Sequence, residues 1–211
     1  MNEDIIATEQ ALKRDKVFNF LQKNKLKIIV ITVAIILAVS SFSIYSFLKE
    51  KKKINLSNTY IEATVMLKQD ELDKAEENLK KLVLSKDPFY SMIALNLIIN
   101  KGLFKKNIEV VDFFDYLIES KSFDSEQKNL LIYKKSIFML DFILENELLN
   151  QLNPIINTDS VWKVNSLILI ADYFFHQKNY LKSKEFYEKI FSLKDSTSEQ
   201  INYAKSQLNK I

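Results

Sequence analysis

The stretch SLILIADYFFHQKNYLKSKEFYEKIFSLKD, Ser166 to Asp195, decides the fold. Leu167, Ile170, Ala171 and Phe174 recur at the spacing of one face of a half-buried helix. His176-Gln177-Lys178-Asn179 is a polar break, and Tyr180 opens a second apolar-periodic run through Ser183, Tyr187 and Ile190. Two such runs joined by a short turn form an antiparallel helix hairpin. Ala171 and Ser183 are small residues placed where the two helices must approach closely.

A tetratricopeptide unit is a helix hairpin of about 34 residues, and this stretch resembles one. It departs from that pattern by a lysine, Lys178, where the turn usually has glycine, and by a serine, Ser183, where alanine is usual. Working outward, Asn58 to Lys86 forms an earlier unit. Ala63 and Met66 lie on its first helix, Lys68-Gln69-Asp70 at the turn, and Leu72, Ala75, Leu79 and Leu82 on the inner face of the second. Asp87-Pro88 closes it and starts the next helix, Asp as cap and Pro at the first helical position. That helix, Phe89 to Asn100, carries Ala94; Lys101-Gly102 turns the chain, and Ile108 to Ile118 returns. Asp124 and Gln127 have capping-box spacing and open a further hairpin through Leu131, Ser136, Ile137 and Leu140. It turns near Glu145 and ends before Asn153-Pro154. Ser196 and Glu199 are spaced as another capping box, before a short last helix with Ile201, Ala204 and Leu208.

The small contact positions are therefore Ala63, Ala75, Ala94, Ala171 and Ser183. Ala63, Ala94, Ser136 and Ala171 stand 31, 42 and 35 residues apart, which describes a degenerate array with variable turns. Four hairpins and a terminal helix exceed the roughly three repeats a continuous core needs. Composition agrees: one glycine and two prolines in 211 residues leave too few tight-turn positions for sheets, so the fold class is all-α.

Upstream, Ile28 to Leu48 (IIVITVAIILAVSSFSIYSFL) is a run of 21 residues without a charge. As a helix it reaches about 31 Å, the thickness of a bilayer's hydrocarbon core. Its hydroxyls can bond back to helix carbonyls. Lys23, Lys25 and Lys27 precede it and Lys49, Lys51, Lys52 and Lys53 follow, positioned to snorkel to the two interfaces. Ala38-Val39-Ser40 has the small-x-small look of a signal-peptidase site, but the apolar run outlasts a signal-peptide core of about 7–15 residues. An uncleaved signal-anchor is the expectation. The chain then divides into a tail (1–27), a span (28–48), a basic juxtamembrane linker (49–57) and a helical domain (58–211).

The formal charge of +3 divides along the same lines. Residues 1–53 hold ten Lys/Arg against five Asp/Glu, and the remainder twenty against twenty-two. The basic surplus lies beside the span, where anionic lipid attracts it, and the domain has none to offer nucleic acid. Within fifteen residues of the span, six basic side chains precede it and four follow, favouring a cytoplasmic N-terminus and an exported domain.

Catalytic signals are missing. There is no cysteine and one histidine, His176, in a turn, so thiolate chemistry and histidine metal clusters are excluded, and His176 reads as a surface residue. No Gly-rich loop is available for phosphates, and the carboxylate pairs Asp70/Glu71 and Glu76/Glu77 sit beside lysines on solvent faces. The expectation is no enzyme, no cofactor, no metal and no small-molecule substrate. Aromatic residues concentrate in the second half of the domain, among them Phe113, Phe114, Tyr133, Phe138, Phe142, Trp162 and the run Tyr173-Phe174-Phe175. Three successive helical residues cannot all face inward, so one or two of that run are expected to line a concave surface for an apolar segment of a partner.

The order of parts resembles the YfgM-like family of bacterial inner-membrane proteins, ancillary subunits of the SecYEG translocon. ALKRDKVFNFLQKNK before the span, DPFYSMIALNLI in the second hairpin, SVWKVNSLILIADYFFHQKNYLKSKEFYEKI, and the terminal TSEQINYAKSQLNKI carry the likeness. The resemblance implies a periplasmic domain near the translocon exit, assisting newly exported proteins with a membrane-anchored chaperone of the prolyl-isomerase type. It implies no catalytic residues. The alternative is a tethered adaptor of similar fold serving envelope assembly or cytochrome maturation.

Overall fold

The computed structural model describes residues 22–104 and 106–211. Most of the tail expected at 1–27 lies outside them. With so few glycines and prolines, little interrupts the backbone, and among the described residues every regular element is helical. The helices are α1 (Lys25–Lys68), α2 (Leu72–Leu84), α3 (Tyr90–Lys101), α4 (Asn107–Ile118), α5 (Ser125–Met139), α6 (Glu145–Ile156), α7 (Lys163–His176), α8 (Tyr180–Phe191) and α9 (Ser198–Leu208). The chain divides into two units, Met1–Asn55 and Leu56–Ile211.

In the first unit, residues 29–48 of α1 are exposed throughout. By length and composition α1 is able to cross a membrane. Residues 49–57, expected to form a linker, are helical. No glycine or proline stands there to stop the helix, and Lys and Glu sustain it.

In the second unit, successive helices from α2 to α9 pack against their neighbours. One core gathers Leu56, Ala63, Leu79, Leu82, Ala94, Ile98, Phe114 and Leu131. A second gathers Leu148, Leu152, Ile155, Leu167, Ile170, Phe174, Tyr187 and Ala204. The boundary runs through α5, whose Leu131 belongs to the first core while Ile132 and Tyr133 pack on the second.

The small residues expected at helix contacts are in the interior. Ala63, Ala75, Ala94, Ala171 and Ser183 are all fully buried. Serine is tolerated there because its hydroxyl is satisfied: Ser183 Oγ donates to the Ala171 carbonyl at 2.9 Å. Ser91 Oγ likewise reaches the Leu82 and Val83 carbonyls at 2.9 and 3.0 Å. Such bonds keep a buried hydroxyl from costing about 1–3 kcal/mol.

Three of the hairpin turns use one device. Asp70, Gly102 and Lys178 have φ of 60°, 59° and 58°. The following amide closes a six-residue loop onto the first helix: Glu71 N to Met66 O, Leu103 N to Ile98 O, and Asn179 N to Phe174 O. This is a Schellman stop, normally built on glycine. Lys178 therefore occupies a left-handed conformation that disfavours a Cβ. Replacing Lys178 with glycine is expected to stabilise the fold by roughly 0.5–1 kcal/mol, raising the melting midpoint by about 2 °C. Gly102→Ala should do the reverse, since nothing surrounds that position within 4 Å and only its φ resists the methyl.

Some boundaries differ from expectation. Asp87 Oδ1 caps α3 by accepting from the Phe89 and Tyr90 amides at 3.1 and 3.0 Å, but regular helix starts only at Tyr90. The Asp124–Gln127 capping box is formed. The last helix is capped one residue later than expected, by Thr197 with Gln200. Helix α6 runs through Pro154 to Ile156; the proline gives up one i→i−4 bond, to the Asn150 carbonyl, and the helix ends two residues later. Leu72, expected on an inner face, is exposed.

Candidate partner-binding groove

A groove of about 370 Å³ opens on the second unit between α3, α4, α5 and the start of α7. Its walls are mainly Ile99, Phe114, Tyr133, Ile137, Phe138 and Trp162. The 3.6-residue period puts Leu130, Tyr133, Lys134 and Ile137 on one side of α5, where they line the groove together. Tyr133 stacks on Trp162, ring centroids 5.8 Å apart and planes 22° from parallel, and Phe138 lies 6.4 Å from Phe114. Ile137 is 43 % exposed, a large aliphatic surface left open to solvent on the groove wall. The polar members are few: Lys134 Nζ donates to Asn96 Oδ1 at 2.8 Å.

Helix α7 carries a second feature. Asp172 is the one acid in the run Leu167 to Phe175, and it is half-buried. Its carboxylate accepts the Tyr187 hydroxyl and the Tyr203 hydroxyl, the latter at 3.1 and 3.0 Å to its two oxygens. The three residues come from α7, α8 and α9, so the cluster laces those helices together. Burial, then the Asp172 charge, pushes the Tyr203 phenol up to about 12. Burial followed by the Asp172 hydrogen bond raises Tyr187 further. Tyr133 is raised as well, by burial and by the charge on Asp172.

These directions fix a pH dependence. A phenol with a folded pKa above its unfolded value of about 10 favours the folded state while protonated. That contribution is complete below about pH 10 and is lost as pH rises through about 12 for Tyr203. Tyrosinate absorbance of the full chain should show Tyr187 and Tyr203 ionising after the exposed tyrosines. Asp172→Asn should move the Tyr203 step down towards the ordinary range.

Tyr173 and Phe175 do not line the groove. Tyr173 donates to the Ile143 carbonyl at 3.2 Å, and Phe175 packs edge-on against Tyr180 at 5.7 Å. Phe174 is buried. The concave aromatic surface comes instead from Tyr133 and Phe138 on α5 and from Trp162 at the start of α7, which is distant from them in sequence. Asp172 is passed over in the sequence reading, although its charge inside an apolar run is a signal that could mark it. His176 is exposed, at the end of α7. Among the described residues no cluster of three or more His, Cys, Asp or Glu side chains is arranged to hold a metal. No protein-family model, no curated protein and no solved structure matches the chain.

Proposed function

We propose that this protein is a non-enzymatic, membrane-anchored scaffold, ancillary to the Sec translocon, whose hairpin domain binds protein partners or newly exported chains. What carries the reading is a combination within one chain. An uncharged helical stretch, exposed along residues 29–48, continues towards an array whose groove is walled by Tyr133, Ile137, Phe138 and Trp162. The first needs an apolar medium, and a bilayer supplies one. The second offers clustered aromatic surface of the kind that anchors protein interfaces. Tethering raises the local concentration of the domain, so weak contacts suffice.

The translocon, and a cytoplasmic N-terminus with a periplasmic domain in a bacterial inner membrane, follow from the resemblance to the YfgM-like family and from the lysine balance. A photoreactive residue at Ile137 in the full-length protein, activated in growing cells, tests the reading. Captured translocon subunits, a membrane-anchored chaperone or emerging exported chains are the expected products. Consistent capture of an unrelated envelope complex would replace it with the adaptor alternative.

A further inference from the structure

Lys134 is the one charged residue among those that line the groove. It is half-buried on α5, and its Nζ donates to Asn96 Oδ1 of α3 at 2.8 Å. Asn96 lines the groove too, and it is neutral. No carboxylate among the described residues pairs with Lys134, whereas its neighbour Lys135 meets Asp115 at 2.6 Å. An ammonium has three N–H donors, and Asn96 takes one of them. Because lysine can only donate, Asn96 turns its oxygen towards Lys134, which leaves the hydrogens of its Nδ2 available. The groove therefore presents two donors side by side, one of them charged, and no anion of its own. Asp172 does not line it, and its oxygens are taken by Tyr187 and Tyr203. The aromatic and aliphatic walls lower the local dielectric, so a charge pair formed there gains more than one in open water.

We propose that the groove takes an apolar segment of a partner protein that carries an aspartate or glutamate: Lys134 Nζ and the Asn96 amide receive the carboxylate, while an apolar side chain beside it packs against Tyr133, Ile137 and Trp162. The inference rests on the groove being the partner-binding surface, and it names what that surface selects. Charge complementarity chooses the occupant. A basic segment would set its cation against Lys134, and a neutral one would desolvate the ammonium without compensating its charge. A carboxylate accepts from both donors at once, one oxygen to each. The bond between Lys134 and Asn96 holds both side chains before binding, so little freedom is left for them to lose.

The full chain in nanodiscs of zwitterionic lipid is titrated with end-blocked peptides of one apolar sequence that differ in a single glutamate, glutamine or lysine. A dye on the peptide reads binding by anisotropy, and Trp162, the only tryptophan in the chain, reads by its fluorescence whether the groove is filled. The glutamate peptide is expected to saturate at roughly tenfold lower concentration than the glutamine peptide, with the lysine peptide weakest, and the difference should shrink with added salt. Lys134→Gln keeps a donor for Asn96 and loses the charge, so it should bring the glutamate and glutamine peptides together. The lysines beside the span remain in that variant, and a preference that they caused would survive there. Asn96→Asp is an independent test should Lys134→Gln fail to fold: it gives Lys134 an anion from within the chain, and the glutamate preference should vanish there as well. Equal binding of all three peptides, or a glutamate preference that survives in either variant, would overturn the acidic selection and leave the groove as a binding surface. Absence of binding by every peptide, or binding without a Trp162 response, would overturn both.

Discussion

Substituting both Ile36 and Leu37 by arginine is expected to release the protein from membranes. These side chains sit mid-way along the uncharged run and are 58 % and 62 % exposed, so no protein core shields a charge placed there. Each arginine at the centre of a span costs about 2.5–3.5 kcal/mol relative to insertion, and each replaced aliphatic forfeits a few tenths more. Together they oppose insertion by roughly 6–8 kcal/mol. The wild-type chain should stay with the membrane pellet through an alkaline carbonate wash, and the double variant should move to the supernatant or be degraded. Retention of the variant in the washed pellet would show that something other than this stretch holds the protein there.

Tyr187→Ala is expected to be the most damaging single change in the hairpin domain. The side chain is fully buried, among the largest that are, and its hydroxyl bonds to Asp172. Removing a buried aromatic costs about 3–5 kcal/mol, a large fraction of a total stability of about 5–15 kcal/mol. The melting midpoint of the domain, followed by Trp162 fluorescence in the full chain, should fall by roughly 10 °C. Tyr187→Phe keeps the ring and loses only a hydrogen bond to a charged acceptor, about 1.5–3 kcal/mol, so its fall should be clearly smaller. Equal losses for the two variants would place the stabilisation in the hydroxyl and not in packing.

What the sequence discloses depends on how local the cause is. The last hairpin is legible residue by residue, because Leu167, Ile170, Ala171 and Phe174 face one way at helical spacing and are buried together. The capping box at Asp124 is legible for the same reason, its partners being three residues apart. Boundaries set by competition are harder. Thr197 and Ser196 are both able to cap, and Pro154 signals an end that the closing turn of α6 absorbs. The groove is hardest, since Tyr133 and Trp162 are 29 residues apart in sequence and nothing local marks them as stacked. Tyr173 and Phe175, conspicuous in the sequence, are taken up by packing at the hairpin turns.

The side of the membrane on which the hairpins lie tests the central claim most directly. A reporter active only outside the cytoplasm, joined after Ile211, is predicted to be active in intact cells, with a cytoplasm-active reporter at the same position silent. A stably expressed fusion with the opposite pattern would place the domain in the cytoplasm and remove the role in receiving exported chains.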